Sequence, residues 1–447
     1  MTKHFKNTGV FRRFVSSRLS RFSFLACLAA WLSAVAGAAQ PAPLVFLSMQ
    51  ARPADEAAAM KSSILSNAPS PIDFIPLASR DLANRIAAGR QGTQPKVDVV
   101  GALHADLLAL AARDDLAPLD DLAARLTGGA DNLPDPLLML GRLGTPHQLY
   151  VPWMQSGYLM VANRKALPFL PAGADIDALS YDQLAAWAAA IEDKTGQRLL
   201  GFPAAQHGLI DRFFEGFLYP SYTGGVLVPF RSPAAEAMWQ WFAALWRHVN
   251  PASATYESMQ QPLLAGDVWI AFDHVARVLP ALRAKPEEFV VFPPPAGPHG
   301  RGYMPILVGL AVVNGTSDRK AAMALIDYLR QPDTQIATAR SIGFFPVGNG
   351  VSSLDALDPD LRTAAATLER ARSSQDALMT LLPVGLGDRG GEFDRIIADT
   401  FSRIIVHNED PHAVLDQEAA TLQQLISTTG AHCWRPDPQS SGPCQIQ

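Results

Sequence analysis

Short apolar runs alternate with segments of helical periodicity along much of the chain. The apolar runs lie at 44–47, 72–76, 97–100, 266–272, 289–292 and 306–313. The first three runs are each followed by a helical pattern, at about 55–65, 79–88 and 105–112. Apolar runs of this length predict buried strands. Their alternation with helices predicts a parallel sheet with crossover helices, in which a binding site forms at the carboxyl ends of the strands.

Residues suited to helix ends occur at several positions in the middle of the chain. Ser180 and Gln183, three positions apart, predict a capping box. Ser232, which precedes a proline, predicts another helix start, and Ser317 is expected to cap a further helix. Because helical periodicity also dominates the C-terminal part, we expect that part to be rich in helix.

The first 38 residues have the pattern of a secretory signal. Six basic residues and no acidic residue lie in the first 21 positions, an apolar run follows at 22–35, and small residues close it at 34–39. This order is typical of a signal peptide, and the run is shorter than the ~20 residues that a membrane-spanning helix needs. We therefore expect residues 1–38 to be removed on export to the periplasm. Cys27 lies inside the apolar run, and the residues before it match a lipidation motif poorly.

The net charge limits the classes of partner that the protein can bind. The chain has 37 Lys and Arg against 42 Asp and Glu. Without the six basic residues of the signal, 31 basic residues face 42 acidic ones, a net charge of −11. This charge argues against nucleic acid or an anionic membrane as a partner.

Cys433 and Cys444 are expected to form a disulfide in an oxidising compartment, the alternative being two free thiols on the tail.

Several segments, taken in order, resemble those of a known family. They are Tyr150-Val151-Pro152-Trp153, then 158–165, 179–184, 264–272, 306–328 and 343–347. They are similar to segments of the family 1 extracellular solute-binding proteins, the maltose-binding-protein-like receptors of ABC sugar uptake transporters. The resemblance covers nearly all of the chain that follows the signal.

The resemblance implies an α/β, two-lobed periplasmic-binding-protein fold. Each lobe would be a mostly parallel sheet flanked by helices, with the ligand in the cleft between the lobes. The expected boundaries are 40–153 and 286–335 for the first lobe, 157–280 and 340–430 for the second lobe, and 431–447 for a C-terminal tail. Crossings near 153–157, 280–289 and 336–343 would form the hinge, and closure on the ligand would be a hinge motion that the transporter senses.

Candidate ligand-binding residues are polar or aromatic side chains near the expected strand ends and lobe crossings. They are Ser48, Gln50, His104, Asp106, Trp153, Gln155, Tyr219, Asp273, His274, Tyr303 and Phe345. A sugar site needs such side chains because hydroxyls form hydrogen bonds and C–H faces stack on rings. The alternatives are a helix cap for His104, hinge packing for Trp153, and a solvated turn for Asp273 with His274.

The expected cleft segments depart from the family's pattern in two places. The segment 274–277 has no tryptophan where the family often has a stacking ring, and Met304-Pro305 replaces the usual glycine pair. A long maltodextrin is therefore disfavoured, and a small carbohydrate is expected. The open alternatives are a non-sugar solute, such as a polyol phosphate, a polyamine or a metal chelate, and a signalling protein of the same fold.

A glycine-rich segment and a His-rich cluster raise the question of an enzyme. Residues 385–390 match the GxGxxG spacing, but Asp399 lies too near for a dinucleotide site, so a turn into a helix is favoured. The cluster at 407–412 is interpreted as a helix start capped by Asp410. No HExxH, GxSxG, Walker or CxxC motif occurs, and we expect no catalysis, cofactor or metal.

These observations predict the periplasmic substrate-binding component of an ABC importer. The protein would capture a small carbohydrate by hinge closure and deliver it to the permease subunits in the inner membrane. It would act as a monomer.

Overall fold

The computed structural model describes residues 42–50, 54–126, 135–347 and 354–447. The predicted signal peptide, with Cys27, lies outside these residues. No helix in the described part of the chain is both long and apolar enough to span a membrane.

Strands and helices are numbered in chain order. The strands are β1 Leu44–Ser48, β2 Ile72–Pro76, β3 Val99–Leu103, β4 Val151–Ser156, β5 Tyr158–Asn163, β6 Leu200–Gly201, β7 Ile270–His274, β8 Phe289–Phe292, β9 Ala296–Gly297, β10 Gly300–Tyr303, β11 Ile306–Val312, β12 Phe345–Pro346 and β13 Ala377–Met379. The α-helices are α1 Ala54–Ala59, α2 Ser79–Arg90, α3 His104–Ala111, α4 Asp120–Leu126, α5 Asp135–Leu140, α6 Tyr181–Thr195, α7 Ile210–Phe213, α8 Tyr219–Thr223, α9 Pro233–Trp246, α10 Gln260–Ala265, α11 Val275–Ala284, α12 Arg319–Leu329, α13 Pro332–Ile342, α14 Pro359–Ser373, α15 Gly390–Phe401 and α16 Pro411–Thr429.

The first sheet has six strands in the order β12-β4-β11-β3-β1-β2. β1 pairs in parallel with β2 and β3, as the alternation of strands and helices predicts, whereas β11 runs antiparallel to β3 and β4. The carboxyl ends of β1, β3 and β4 therefore meet the amino end of β11 along one side. We call this side the upper edge of the first sheet; it is marked by Ser48, Leu103, Ser156 and Ile306.

The second sheet has four strands in the order β6-β7-β5-β8. β5 runs antiparallel to β7 and β8, and β6 runs parallel to β7, so β5 alone opposes the common direction of this sheet. The chain passes from the first sheet to the second at Gly157, between β4 and β5. Each sheet with its helices forms one lobe of the predicted two-lobed fold.

Two strands, β8 and β12, each pair in the sheet of a different lobe from the one predicted. β8 pairs with β5, and the Phe292 ring packs 5.9 Å from the ring of Trp187 on α6. The segment 286–292 therefore belongs with the second sheet and not with the first lobe. β12 pairs with β4 in the first sheet, although 340–430 was expected in the second lobe. An apolar run identifies a strand, but the partner that accepts its hydrogen bonds depends on the whole fold.

A small third sheet joins residues of two distant segments. Its order is β13-β10-β9, with β10 parallel to β13 and antiparallel to β9. The helical stretch that runs through α7, a π-helical turn at Phe214–Leu218 and α8 packs directly on β10. A Cβ on Gly302 would lie 2.5 Å from the Gly216 carbonyl oxygen. Glycine at position 302 is what allows this close approach of two backbones.

Most of the predicted helix ends are confirmed. Ser180 and Gln183 form the reciprocal hydrogen bonds of a capping box, and the side chains of Ser232 and Asp410 cap α9 and α16. The prediction for Ser317 is wrong by one position. The Asp318 carboxylate caps α12, because it accepts the backbone N–H of the third residue of that turn.

The C-terminal tail is fastened to the second lobe. Cys433 and Cys444 form a disulfide. The Asp437 carboxylate accepts hydrogen bonds from the backbone N–H groups of Val226, Leu227 and Val228 over 2.8, 3.0 and 2.8 Å, respectively. Burial raises the pKa of Asp437 above its ordinary value, although these three donors lower it. The tail therefore fixes the turn that follows α8.

Candidate ligand-binding site

A cavity of about 380 Å³ lies between the two lobes. Its first-lobe wall is Leu82, Ala83, Leu103, Ala105, Asp106, Ala109 and Leu110, and its second-lobe wall is Arg212, Leu382, Pro383, Gly385, Leu386, Gly387, Gly390, Gly391 and Asp394. We call it the interlobe cavity. Its volume lies within the range of roughly 300–1,000 Å³ that is usual for small-molecule sites. It also lies beside the upper edge of the first sheet, because α3 starts where β3 ends.

The first-lobe wall is built by the start of α3. Asp106 lies in the first turn of this helix, where the helix dipole favours a negative charge. His104 lies beside the cavity, in a much smaller void with Pro305 and Leu382, and its Nδ1 is 2.9 Å from the Tyr150 hydroxyl. Burial lowers the pKa of His104 to about 4, so its imidazole is neutral at pH 7.

The second-lobe wall holds an arginine surrounded by three acids. The Arg212 guanidinium donates to Glu215 Oε2 over 2.5 Å and to Asp394 Oδ2 over 2.7 Å. Asp211 Oδ2 lies 3.8 Å from Arg212 Nε. One carboxylate oxygen from each of the three acids lies within 4.8 Å of the others. We call these four residues the Arg212 cluster.

Burial governs the electrostatics of the Arg212 cluster. It raises the pKa of Glu215 well above its ordinary range, although Arg212 lowers it, and it raises the pKa of Asp211. Burial also lowers the pKa of Arg212, but the nearby carboxyls of Glu215, Asp394 and Asp211 outweigh this effect and raise it. Glu215 Oε1 and Asp394 Oδ1 are buried and accept no hydrogen bond from any described residue.

The glycine-rich segment forms the rest of the second-lobe wall. Gly385 and Gly387 have φ angles of 80° and 59°, in the left-handed region that favours glycine. A short 3₁₀ turn at Gly387–Arg389 leads into α15. This confirms the interpretation of the GxGxxG spacing as a turn into a helix. The position of this turn at the interlobe cavity was not predicted.

The upper edge brings together several predicted site residues. The Ser48 hydroxyl donates to Gln50 Oε1 over 3.1 Å, and the buried Gln50 Nε2 donates to no described residue. Gln155 Nε2 donates to the Pro346 carbonyl oxygen over 3.2 Å. Tyr303 is buried just before β11, and burial raises its pKa. Of all the predicted residues, Asp106 lines the interlobe cavity and His104 lines the adjoining void.

Trp153, Tyr219 and Phe345 pack in the apolar interior instead of facing the interlobe cavity. The fully buried Trp153 ring lies 6.1 Å from the Phe46 ring, which matches the alternative of packing at the crossing. The Tyr219 hydroxyl donates to the Phe230 carbonyl oxygen over 3.0 Å and accepts from the Trp239 indole. Phe345, on β12 of the first sheet, is part of a buried apolar cluster that also contains residues of β5 and α11. These rings were predicted to lie near the cleft. They lie in the core instead, because the burial of large aromatic side chains stabilises the fold.

Asp273 and His274 lie at the crossing between the lobes and not in a solvated turn. The buried Asp273 carboxylate accepts the backbone N–H groups of Met259 and His274, each over 2.7 Å. Burial raises the pKa of Asp273 to about 6, although Arg277 lowers it. His274 Nδ1 accepts the backbone N–H of the second residue of α11, and its ring lies 6.2 Å from the ring of Phe344. These contacts give both residues a structural role.

Arg212 and Asp394, which line the cavity, and Glu215, which pairs with Arg212, were not predicted as site residues. A local signal existed, because Asp211, Arg212 and Glu215 interrupt an otherwise apolar segment at 209–218. Asp394 lies 182 positions from Arg212, and only the fold brings it to the cluster.

A model of the family of bacterial extracellular solute-binding proteins matches residues 70–365. The chain belongs to this family. Residues 70–365 include β2 to β12, and with them most strands of both lobes of this solute-binding protein. A search of curated protein sequences gives no match.

Solved structures share the two-lobed fold of this solute-binding protein. The GacH receptor of Streptomyces glaucescens, solved unliganded and with acarbose, is 18% identical with a TM-score of 0.65 over 86% of this chain and 98% of its own. UgpB of Mycobacterium tuberculosis, solved with glycerophosphocholine, is 20% identical with a TM-score of 0.65 over the same shares. The sugar-binding protein MalE of Xanthomonas citri is 17% identical with a TM-score of 0.67, again over 86% and 98%. The family match confirms the predicted membership of the extracellular solute-binding proteins, and these likenesses confirm the predicted two-lobed fold.

Proposed function

We propose that this solute-binding protein is the periplasmic substrate-binding component of an ABC importer for a small carbohydrate. The observation that carries the proposal is the interlobe cavity, whose walls combine Asp106 from one lobe with Arg212 and Asp394 from the other. Such groups form hydrogen bonds with the hydroxyls of a polar solute. The export pattern of residues 1–38 supports a periplasmic location, and the sugar-binding MalE fold supports a carbohydrate.

We infer that binding is coupled to closure of the two lobes. The six-stranded sheet would move against the four-stranded sheet about Gly157 and the segment between β8 and β11. A ligand in the interlobe cavity would contact α3 and the start of α15 at once. It would therefore bind the closed form more tightly than the open form and shift the population towards closure. Permease subunits in the inner membrane would receive the closed, monomeric form.

A small ligand suits this cavity better than a long oligosaccharide. The described residues that line it include no aromatic ring, and its volume is near the lower end of the usual range. Long sugar chains need several stacked rings. A phosphorylated polyol is less well supported, because Arg212 is the one basic residue among the described lining residues and its guanidinium already donates to two carboxylates. The proposed role is binding and not catalysis.

A thermal-shift panel of neutral sugars, polyols, sugar phosphates and polyamines tests the proposal. A solute at ~100 times its dissociation constant should stabilise the protein by about 2.7 kcal/mol. We expect a sugar to give the largest shift and Asp106→Asn to reduce it. Asp416→Asn is the matched control, since Asp416 pairs with Arg231 on the surface. Stabilisation by sugar phosphates or polyamines alone would contradict a carbohydrate, and no shift with any solute would contradict a receptor.

A further inference from the structure

Aliphatic side chains form most of both walls of the interlobe cavity. Nine of its sixteen described lining residues are Leu, Ala or Pro, four are Gly, and three are charged. No hydroxyl, amide or aromatic side chain is among these described residues. A ligand in this cavity therefore meets aliphatic surface on two sides and finds few polar side chains to bind.

The partly exposed members of the two walls show where this aliphatic surface is open. They include Leu103 and Ala105 on the first-lobe wall, and Leu382 and Pro383 on the second-lobe wall. The two walls do not cover each other, since about 380 Å³ remains between them. Contact between aliphatic surface and water is unfavourable, and an apolar group of a ligand would remove that contact on both walls.

The aliphatic surface continues beyond the interlobe cavity. The adjoining void of about 10 Å³ is lined by His104 and six apolar residues, of which Ala105 and Leu382 line both spaces. His104 Nδ1 is engaged with the Tyr150 hydroxyl, and burial lowers the pKa of His104 to about 4. A void of this size holds at most about one water molecule. Ala105 and Leu382 therefore lie in apolar surroundings on the side away from the cavity as well.

The three charged lining residues suit a neutral ligand. Asp394 Oδ2 accepts a hydrogen bond from the Arg212 guanidinium over 2.7 Å. A cationic ligand would meet Arg212 and an anionic ligand would meet Asp106 and Asp394, and like charges at close range repel each other. A hydroxyl can accept from a guanidinium and donate to a carboxylate without this repulsion. These residues can therefore orient the hydroxyls of a neutral ligand, whose affinity then depends on the aliphatic walls.

We propose that the ligand of the interlobe cavity is a neutral carbohydrate that carries an aliphatic group, such as a short alkyl glycoside or a deoxy sugar. This inference rests on the proposed function and specifies its substrate class. The aliphatic group packs between Leu103 and Ala105 of one lobe and Leu382 and Pro383 of the other, and the hydroxyls bind at the charged residues. Closure of the lobes buries the aliphatic group more completely, so this group favours the closed form.

The test compares sugars that differ only in an apolar group. Calorimetric titration of the purified protein at pH 7 would use glucose, galactose and mannose, each as the parent sugar, the methyl glycoside, the butyl glycoside and the 6-deoxy form. With the alkyl glycosides, affinity should rise about fourfold for each methylene that is buried. We therefore expect an apolar form to bind at least tenfold more tightly than its parent sugar, with a more negative heat-capacity change.

Three outcomes of this titration would overturn the inference. Parent sugars that bind as tightly as all their apolar forms would assign the aliphatic walls to packing between the lobes, and would leave the proposed function intact. Butan-1-ol that binds as tightly as the butyl glycosides would show that the sugar is not recognised. Absence of binding by every compound would show that no carbohydrate is a ligand. Either of the last two results would overturn the proposed function as well.

A variant of the second-lobe wall locates the preference for the apolar form. Leu382→Asn keeps the size of a partly exposed side chain and makes it polar, and it should reduce the preference to about twofold. Leu170→Asn is the matched control and should keep the full preference, since Leu170 is also partly exposed and is not among the described lining residues. Leu103→Asn makes the same change on the first-lobe wall, in case Leu382→Asn folds poorly. A full preference in both wall variants would overturn the inference.

Discussion

The Arg212 guanidinium donates a hydrogen bond to Asp394 Oδ2 over 2.7 Å, across 182 positions of the chain. The contact joins α7 to the first turns of α15. Arg212 also donates to Glu215 in its own helical stretch, so a single side chain links this stretch to α15. The geometry of the interlobe cavity therefore depends on Arg212.

Replacing Arg212 by Met should destabilise the protein by about 3 kcal/mol, because the buried carboxyls of Glu215 and Asp394 would lose their counter-charge. Urea unfolding measures this loss. The double variant Arg212→Met with Glu215→Gln should recover part of the stability, since one of the two unpaired carboxyls is removed. Losses that simply add in the double variant would contradict the coupling of the two side chains.

A methyl group at position 302 should disrupt the contact between β10 and the helical stretch below it. Gly302→Ala places a Cβ 2.5 Å from the Gly216 carbonyl oxygen, so one backbone must shift. We expect a loss of about 2–3 kcal/mol in the free energy of unfolding. Gly442→Ala is the control, because a Cβ there meets no atom within 4 Å. Equal stabilities of the two variants would show that the close approach is not required.

Protonation of His104 should lower the free energy of unfolding as the pH falls below 6.5. Burial lowers the pKa of His104 to about 4, below the ordinary 6.5, so the unfolded state binds more protons between these two values. The contribution of the neutral His104 to the free energy of unfolding is complete above pH 6.5 and is lost as the pH falls towards 4. Between pH 7 and pH 5 the wild type should lose about 2 kcal/mol more than His104→Asn. The buried His274, whose pKa is lowered to about 3, is present in both proteins and cancels in the difference. Identical pH profiles would contradict a buried neutral His104.

Removing the Asp437 carboxylate should loosen the C-terminal tail. Asp437→Ala leaves three backbone N–H groups, two of them buried, without their acceptor and should cost about 3 kcal/mol. Asp437→Asn keeps one carbonyl oxygen and should cost less. Thermal unfolding of the two variants compares these losses, and an alanine variant as stable as the wild type would contradict the role of this carboxylate.

Features that depend on nearby residues could be predicted from the sequence. The parallel pairing of β1 with β2 and β3 follows from the alternation of strands and helices. The capping box at Ser180 and Gln183 needs only two residues three positions apart. The start of α3 after β3 placed Asp106 at the cavity for the same reason.

Features that depend on distant partners could not be predicted in this way. The strand pattern of β8 gives no indication of which sheet accepts its hydrogen bonds. Trp153 and Tyr219 have the residue type of a sugar site, but the core offers their rings more complete burial. Asp394 becomes part of the site through an arginine that lies far away in the sequence.

The central claim is that a solute binds in the interlobe cavity. Ala109, on α3, lines this cavity, so Ala109→Trp should fill it and weaken binding at least 100-fold. Calorimetric titration would use the sugar that gives the largest thermal shift, with Ala124→Trp on an exposed face of α4 as the matched control. The account predicts one-to-one binding by the wild type and the control, and loss of binding in Ala109→Trp with an unchanged melting temperature of the free protein. Undiminished binding by Ala109→Trp would contradict it.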